Sequence, residues 1–278
     1  MVHTGAPLLA DLDEEEFGRI VYTALLPTSI LNPLPEFDMA NDSQLWYTEP
    51  ARKWSDCLPI GNGQFGAMAF GQVQKERWQL NEDSVWYGSP NDRNPKDALK
   101  YLPKLRQLLD EGRLKEAEDL AEMAFVAMPE SQRHYESLGL VNLIFPHREK
   151  ETSNYKRYLD LENAVTGVSY DWQGVRYSRE IFASNPANVI AGKIWASKPN
   201  SLNFNLRIIR QAGMPIQDRS PDAREMDPEG VDTNIYMDTV NASNNCLVMK
   251  AQTGGGGVRL CLTATVITEQ GELMHRIS

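Results

Sequence analysis

The side chains best suited to chemistry stand together in QLNEDSVWYGSP, residues 79–90, where Asn81, Glu82, Asp83, Trp86 and Tyr87 set an amide, two carboxylates and two aromatics in one short stretch. Two carboxyl groups can serve as general acid and general base if they reach one substrate from different sides. Glu82 and Asp83 are adjacent, and neighbours on an extended backbone point in different directions. They do not make a working pair, and no catalytic residue is assigned. Asn81, Glu82, Trp86 and Tyr87 are instead candidate substrate- or interdomain-contact residues, because amides and aromatics suit both ring stacking and hydrogen bonding across an interface. A capped turn whose tryptophans belong to the domain's own core fits the same residues.

Other signals for chemistry fail on spacing. His3, His134, His147 and His275 form no H-E-x-x-H-like pattern, so no metal site is expected. Gly61, Gly63 and Gly66 match the dinucleotide fingerprint G-x-G-x-x-G, but a period of two follows them where that fingerprint requires a helix. Gly254 to Gly257 lacks the Lys-Ser/Thr of a phosphate loop and reads as a flexible hairpin tip. No cofactor is expected.

The contact stretch must be held by a hairpin. Gly61-Asn62-Gly63 is a turn signal, after which Phe65, Ala67, Ala69 and Val73 alternate with Met68, Phe70 and Gln72 as in a strand. Gln74-Lys75 turns the chain into a second strand over 76–80, and Asn81 to Ser84 leaves the sheet as a polar loop. Gly71 inside this pattern marks a bulge or a close approach of another backbone.

A helical insertion follows over about 94–128. Asn94 can cap a helix with Pro95 at its first position, Pro103 is expected to split it in two, and Leu114 to Phe125 forms a further helix. These helices are expected to pack over a sheet face or edge. From Leu138 onward the period is two, with strands over 140–145, 155–161, 165–172, 175–182, 189–196, 202–209 and 258–266. Gln173-Gly174 is a two-residue hairpin turn, and 211–233 reads as a long loop rich in proline and charge. The fold class is mainly β, an antiparallel sandwich with a short inserted helical segment.

Net charge of -10 and a pI near 5.0 argue against nucleic acid or an anionic membrane as partner, since either would select a basic face. Cys57, Cys246 and Cys261 are too few and too scattered for a disulfide framework. Residues 1–44 show no clear period and are read as a poorly structured segment ahead of a domain over 45–278. Their acidic start lacks the features of a secretory signal, so a cytoplasmic location is expected.

The runs LPIGNGQFGAMAFG and QLNEDSVWYGSP, with WYTEPA before them and RYLDLENA and VRYSREIFASNP behind, resemble the N-terminal domain of glycoside hydrolase family 95, whose members are α-L-fucosidases. The resemblance implies a large β-supersandwich that is followed, in the complete enzyme, by a catalytic (α/α)₆ helical barrel as its partner. It also implies inverting hydrolysis of terminal α-1,2-linked L-fucose on a glycan, by an acid that protonates the leaving oxygen and a base that activates water. Because the family's catalytic positions lie in that barrel, none is carried onto this chain, which is expected to be inactive alone. The alternative is a non-catalytic β-sandwich module that binds a glycan or a protein.

Overall fold

Fourteen strands fall into two sheets, one of nine and one of five, in a computed structural model that describes residues 20–27, 43–128, 133–210, 235–243 and 245–268. The small sheet is built from β3 (Leu58–Gly61), β4 (Phe65–Ala69), β5 (Lys75–Glu82), β6 (Gly139–Ile144) and β11 (Asn205–Ile209), in the order β11-β6-β5-β4-β3. The large sheet adds β1 (Ile20–Pro27), β2 (Gln44–Tyr47), β7 (Thr152–Asp160), β8 (Val165–Trp172), β9 (Val175–Ser184), β10 (Val189–Ala196), β12 (Ile235–Ser243), β13 (Cys246–Thr253) and β14 (Arg259–Val266). Its order is β12-β13-β14-β1-β10-β9-β8-β7-β2.

The sandwich forms because each sheet has an apolar face to bury. Phe65, Ala67 and Ala69 of β4 and Trp78 and Leu80 of β5 share one core with Ile181, Ile190, Ile194, Leu260 and Leu262 of the large sheet. The hairpin signals act as expected. Asn62 Oδ1 accepts from the N–H groups of Gln64 and Phe65, both at 3.0 Å, closing the β3–β4 turn. Gln173 and Gly174 take φ of 50° and 72°, the left-handed pair that a two-residue hairpin needs between Trp172 and Val175.

Several elements differ from the sequence reading. Asn81 and Glu82 do not leave the sheet; they complete β5, opposite Gly66 and Phe65. Within 1–44, Ile20–Pro27 forms β1, parallel to both β10 and β14. Its sequence IVYTALLP is a near-continuous apolar run, the pattern of a central parallel strand, which carries no period of two. The first helix, α1 (Ala98–Asp110), starts after Asp97 rather than Asn94 and continues through Pro103. It packs mainly on the second, α2 (Leu114–Phe125), burying Leu108 with Ala117 and Ala124; that packing offsets the single backbone bond proline removes. The pair rests on itself more than on a sheet, and Leu99, Leu109, Leu114 and Met123 stay exposed. The long loop read over 211–233 lies outside the described residues.

The three cysteines are free. Cys246 lies opposite Thr265 and Cys261 opposite Lys250, so the paired strands bring them near each other but out of register.

The sheets are tied by charge as well as by hydrocarbon. On β5 the buried positions Glu76, Trp78, Leu80 and Glu82 share one face, and Glu76 meets Arg179 of β9 at 3.2 Å, with both side chains more than 95% buried. The Gly71 N–H donates to Glu76 Oε1 at 3.0 Å, Arg179 Nη2 donates to the Gln72 carbonyl at 2.7 Å, and the Tyr155 hydroxyl donates to the Gly71 carbonyl at 2.5 Å. The turn between β4 and β5 is thereby pressed into the large sheet. Gly71 has φ of 69°, and a Cβ there would lie 2.9 Å from both Arg157 Cδ and the Tyr155 hydroxyl.

A second polar group, His147, is fully buried among Phe145, Trp172 and Tyr177, with Nδ1 2.8 Å from the Tyr170 hydroxyl. Burial first, and the Arg179 charge second, lower its pKa to about 4.

Gly71→Ala should cost about 1–3 kcal/mol by urea denaturation, and Glu76→Ala, which strands the Arg179 charge, about 3–5 kcal/mol. If Glu76→Ala matches the wild-type midpoint, the tie is not structural. His147 takes up a proton near 6.5 when unfolded but only near 4 when folded. Stability should therefore be full above pH 6.5 and fall as the pH drops from 6.5 to 4, by up to ~3 kcal/mol. His147→Phe should flatten that slope in urea titrations at pH 7, 5 and 4.

Candidate functional site

At the end of β5 the chain enters the stretch singled out in the sequence, and three other segments close around it: residues 133–137, Arg210 after β11, and the β13–β14 turn. The period of two decides which side chains face in. Glu82 follows Leu80 on the inner face and is 3% exposed, whereas Asn81 and Asp83 are exposed. The two carboxylates therefore diverge. Glu82 Oε2 accepts from the N–H of Ser84 at 2.9 Å and from its hydroxyl at 2.5 Å, so this carboxylate closes the turn that ends the strand.

The aromatics line the turn. Trp86 Nε1 donates to the Asp83 carbonyl at 3.1 Å, and the indole, 37% exposed, makes an edge-to-face contact with Tyr135 at 5.1 Å. The Tyr135 hydroxyl donates to the Glu82 carbonyl and pairs with the Asn81 side chain. Burial, together with the charges of Glu82 and Asp83, raises its pKa. Tyr87 takes its place through a backbone bond to the His134 carbonyl at 3.0 Å and a ring contact with His134 at 4.9 Å.

Behind these residues stands a second buried ion pair, Glu136 with Arg210 at 2.6 Å, both side chains 1% exposed or less. Arg210 also donates to the carbonyls of Ser137 at 3.2 Å and Gln252 at 3.3 Å, joining three segments. The half-exposed His134 imidazole lies 3.6 Å from the other oxygen of Glu136. The sequence reading did not single out Glu136, Arg210 or Tyr135. Glu136 sits in a short irregular segment and Arg210 beyond the end of a strand, so no local period marked either as inward.

Gly254 to Gly257, expected to be a flexible tip, is packed instead. The Gly88 N–H donates to the Gly254 carbonyl at 2.8 Å and the Ser89 N–H to the Gly255 carbonyl at 3.2 Å. Added Cβ atoms would lie 2.8 Å from the Tyr87 ring at Gly255 and 2.9 Å from Gly88 N at Gly257. Glycine is needed because two backbones meet there.

The site thus turns outward an amide, part of an indole and an imidazole, with Asp83 beside them. That set can stack on and hydrogen-bond a polar ring or a neighbouring domain. Among the described residues there is no cluster of three His, Cys, Asp or Glu able to hold a metal ion.

Comparison with known families places the chain among the N-terminal domains of glycoside hydrolases. It belongs to the family described as glycosyl hydrolase family 65, N-terminal domain, whose model matches residues 45–276. Curated relatives are fucosidase-like. The chain is 42% identical over 171 residues to alpha-L-fucosidase 2 of Arabidopsis thaliana, covering 61% of this chain and 20% of that protein. It is 28% identical over 244 residues to the probable alpha-fucosidase A of Aspergillus niger, covering 82% of this chain and 29% of that protein. The alignments thus span less than a third of each relative's length. The resemblance drawn from the motifs holds at the level of a fucosidase-like glycoside hydrolase N-terminal domain, while the matching model carries the number 65 rather than 95.

If the packed glycine turn holds the contact loop, Gly257→Ala should loosen it. We expect a loss of about 1–3 kcal/mol in stability, with a red-shifted tryptophan emission under native conditions as Trp86 is released. Unchanged emission and stability would show that the turn does not support the loop.

Proposed function

We propose that this chain is the N-terminal scaffold of an α-L-fucosidase-type glycoside hydrolase. In the complete enzyme, inverting hydrolysis of terminal α-1,2-linked L-fucose would be carried out by carboxyl groups of a helical barrel packed against this sandwich. The end loop, with Asn81, Glu82, Trp86 and Tyr87, would border the fucoside pocket or the barrel itself. In that arrangement Glu82 positions the loop through Ser84, while Asn81 and Trp86 make the outward contacts.

The observation that supports this reading is the state of the buried acids of the domain. Inversion requires two carboxyl groups on opposite sides of the bond, ~6.5–9.5 Å apart, with room for a water. Glu76 is engaged by Arg179, Glu136 by Arg210 and Glu82 by Ser84, all in the interior. Asp83 points outward, away from Glu82. Exposed apolar side chains on β2 and the turn after it, Leu45, Tyr47 and Trp54, together with those of the helix pair, are suited to cover by a further domain.

The purified chain, incubated with 2′-fucosyllactose, should release no fucose above a no-protein control. Release that persists through further purification overturns the scaffold reading.

A further inference from the structure

Between β5 and the large sheet lies a small cleft with free space of about 20 Å³, lined by Leu58, Gly71, Glu76, Arg157, Thr166 and Arg179 among others. That is room for one water-sized occupant and little more. Its walls carry charge. Glu76 supplies one carboxylate, and Arg157 and Arg179 supply two guanidinium groups, each of the three residues at most 4% exposed. One carboxylate oxygen accepts from the Gly71 N–H, and the other, without a hydrogen-bond donor, lies 3.2 Å from Arg179 Nη2 as an ion pair.

The donors are unevenly used. Arg157 gives Nε to the Glu49 carbonyl at 2.8 Å and Nη1 to the Asp56 carbonyl at 2.7 Å. Arg179 donates Nη2 to the Gln72 carbonyl and lies 3.2 Å from Glu76 Oε2 as an ion pair, but its buried Nε and Nη1 have no protein acceptor. A buried polar group without a partner costs about 1–3 kcal/mol, and more when charged. Ring faces of Phe145 at 4.9 Å and Tyr170 at 5.7 Å soften that cost without supplying a countercharge.

We infer that this cleft is a binding site for one small monovalent anion of the halide class, held by the unused N–H groups of Arg179 with Arg157 opposite. A water molecule would satisfy the N–H groups yet leave two cations facing one anion away from solvent, where an uncompensated charge carries a penalty of several kcal/mol. A chloride-sized ion does both. It balances the lining to zero net charge and accepts from guanidinium donors, and its single-atom size matches the space. Larger anions such as gluconate or phosphate do not fit. The site is independent of the contact loop and of any fucoside chemistry, and its effect would fall on the joint between the sheets.

The test uses the full native chain. Crystals soaked in sodium bromide should show an anomalous peak in the cleft within hydrogen-bonding reach of Arg179. In thermal unfolding at constant ionic strength, with gluconate exchanged stepwise for bromide, the midpoint should climb and then saturate, as binding to the folded state demands. A general salt effect has no such plateau. A soaked crystal whose cleft holds water alone, or a midpoint indifferent to which anion is present, overturns the proposal.

Discussion

The buried contact between Glu76 and Arg179 constrains this sandwich more than any other single interaction. Hydrophobic faces will pack in many relative placements, because dispersion and water exclusion have little direction. A carboxylate and a guanidinium brought out of water tolerate few arrangements, since either one left alone carries a heavy desolvation penalty. Once β5 places Glu76 inward next to Trp78, and β9 places Arg179 inward between Tyr177 and Ile181, the sheets have to be set so that the two meet. The turn carrying Gly71 and Gln72 is fixed by the same groups, through bonds from its N–H to Glu76 and from Arg179 to its carbonyl. Apolar substitutes of equal volume often match or exceed the net stability of a buried ion pair, so the consequence of this one lies in the placement it requires.

The same device recurs at the end loop. Glu136 and Arg210 lie in segments far apart in sequence, and Arg210 reaches on to Gln252 beside the glycine turn. The loop over 83–89 is anchored by Val85, which is buried in the main core, by backbone bonds to 134, 136, 254 and 255, and by Glu82 beneath it. Its outward groups are thereby presented from a fixed frame, as a contact surface requires, because ordering a loose loop on binding would consume part of the affinity. The buried acids Glu76, Glu82 and Glu136 are all engaged within the fold, in keeping with the scaffold role proposed above.

Helix α1 shows how a local rule yields to packing. Proline inside a helix removes one backbone bond, yet Pro103 sits within an unbroken helix whose Leu108 is buried with Ala117 and Ala124 of its partner. Strand β1 shows the converse limit of pattern reading. A strand flanked on both sides by parallel neighbours needs no alternation, so the apolar run at Ile20–Pro27 carried no period to mark it.

The sequence by itself determined the mainly β class, the hairpin turns at Asn62 and Gln173, the span Leu114–Phe125 of the second helix, and the stretch from Asn81 to Tyr87 as a place of interest. These are local properties, written in periods of two or 3.6 and in residues that accept turn geometry. Tertiary structure alone decided that Glu76 meets Arg179, that Glu136 meets Arg210, and that four glycines at 254–257 form a seat for Tyr87 and Gly88 rather than a loose tip. Each of those outcomes pairs groups tens to more than a hundred residues apart. A local period can say that a charged side chain faces inward, but the identity of its partner depends on how the sheets are stacked.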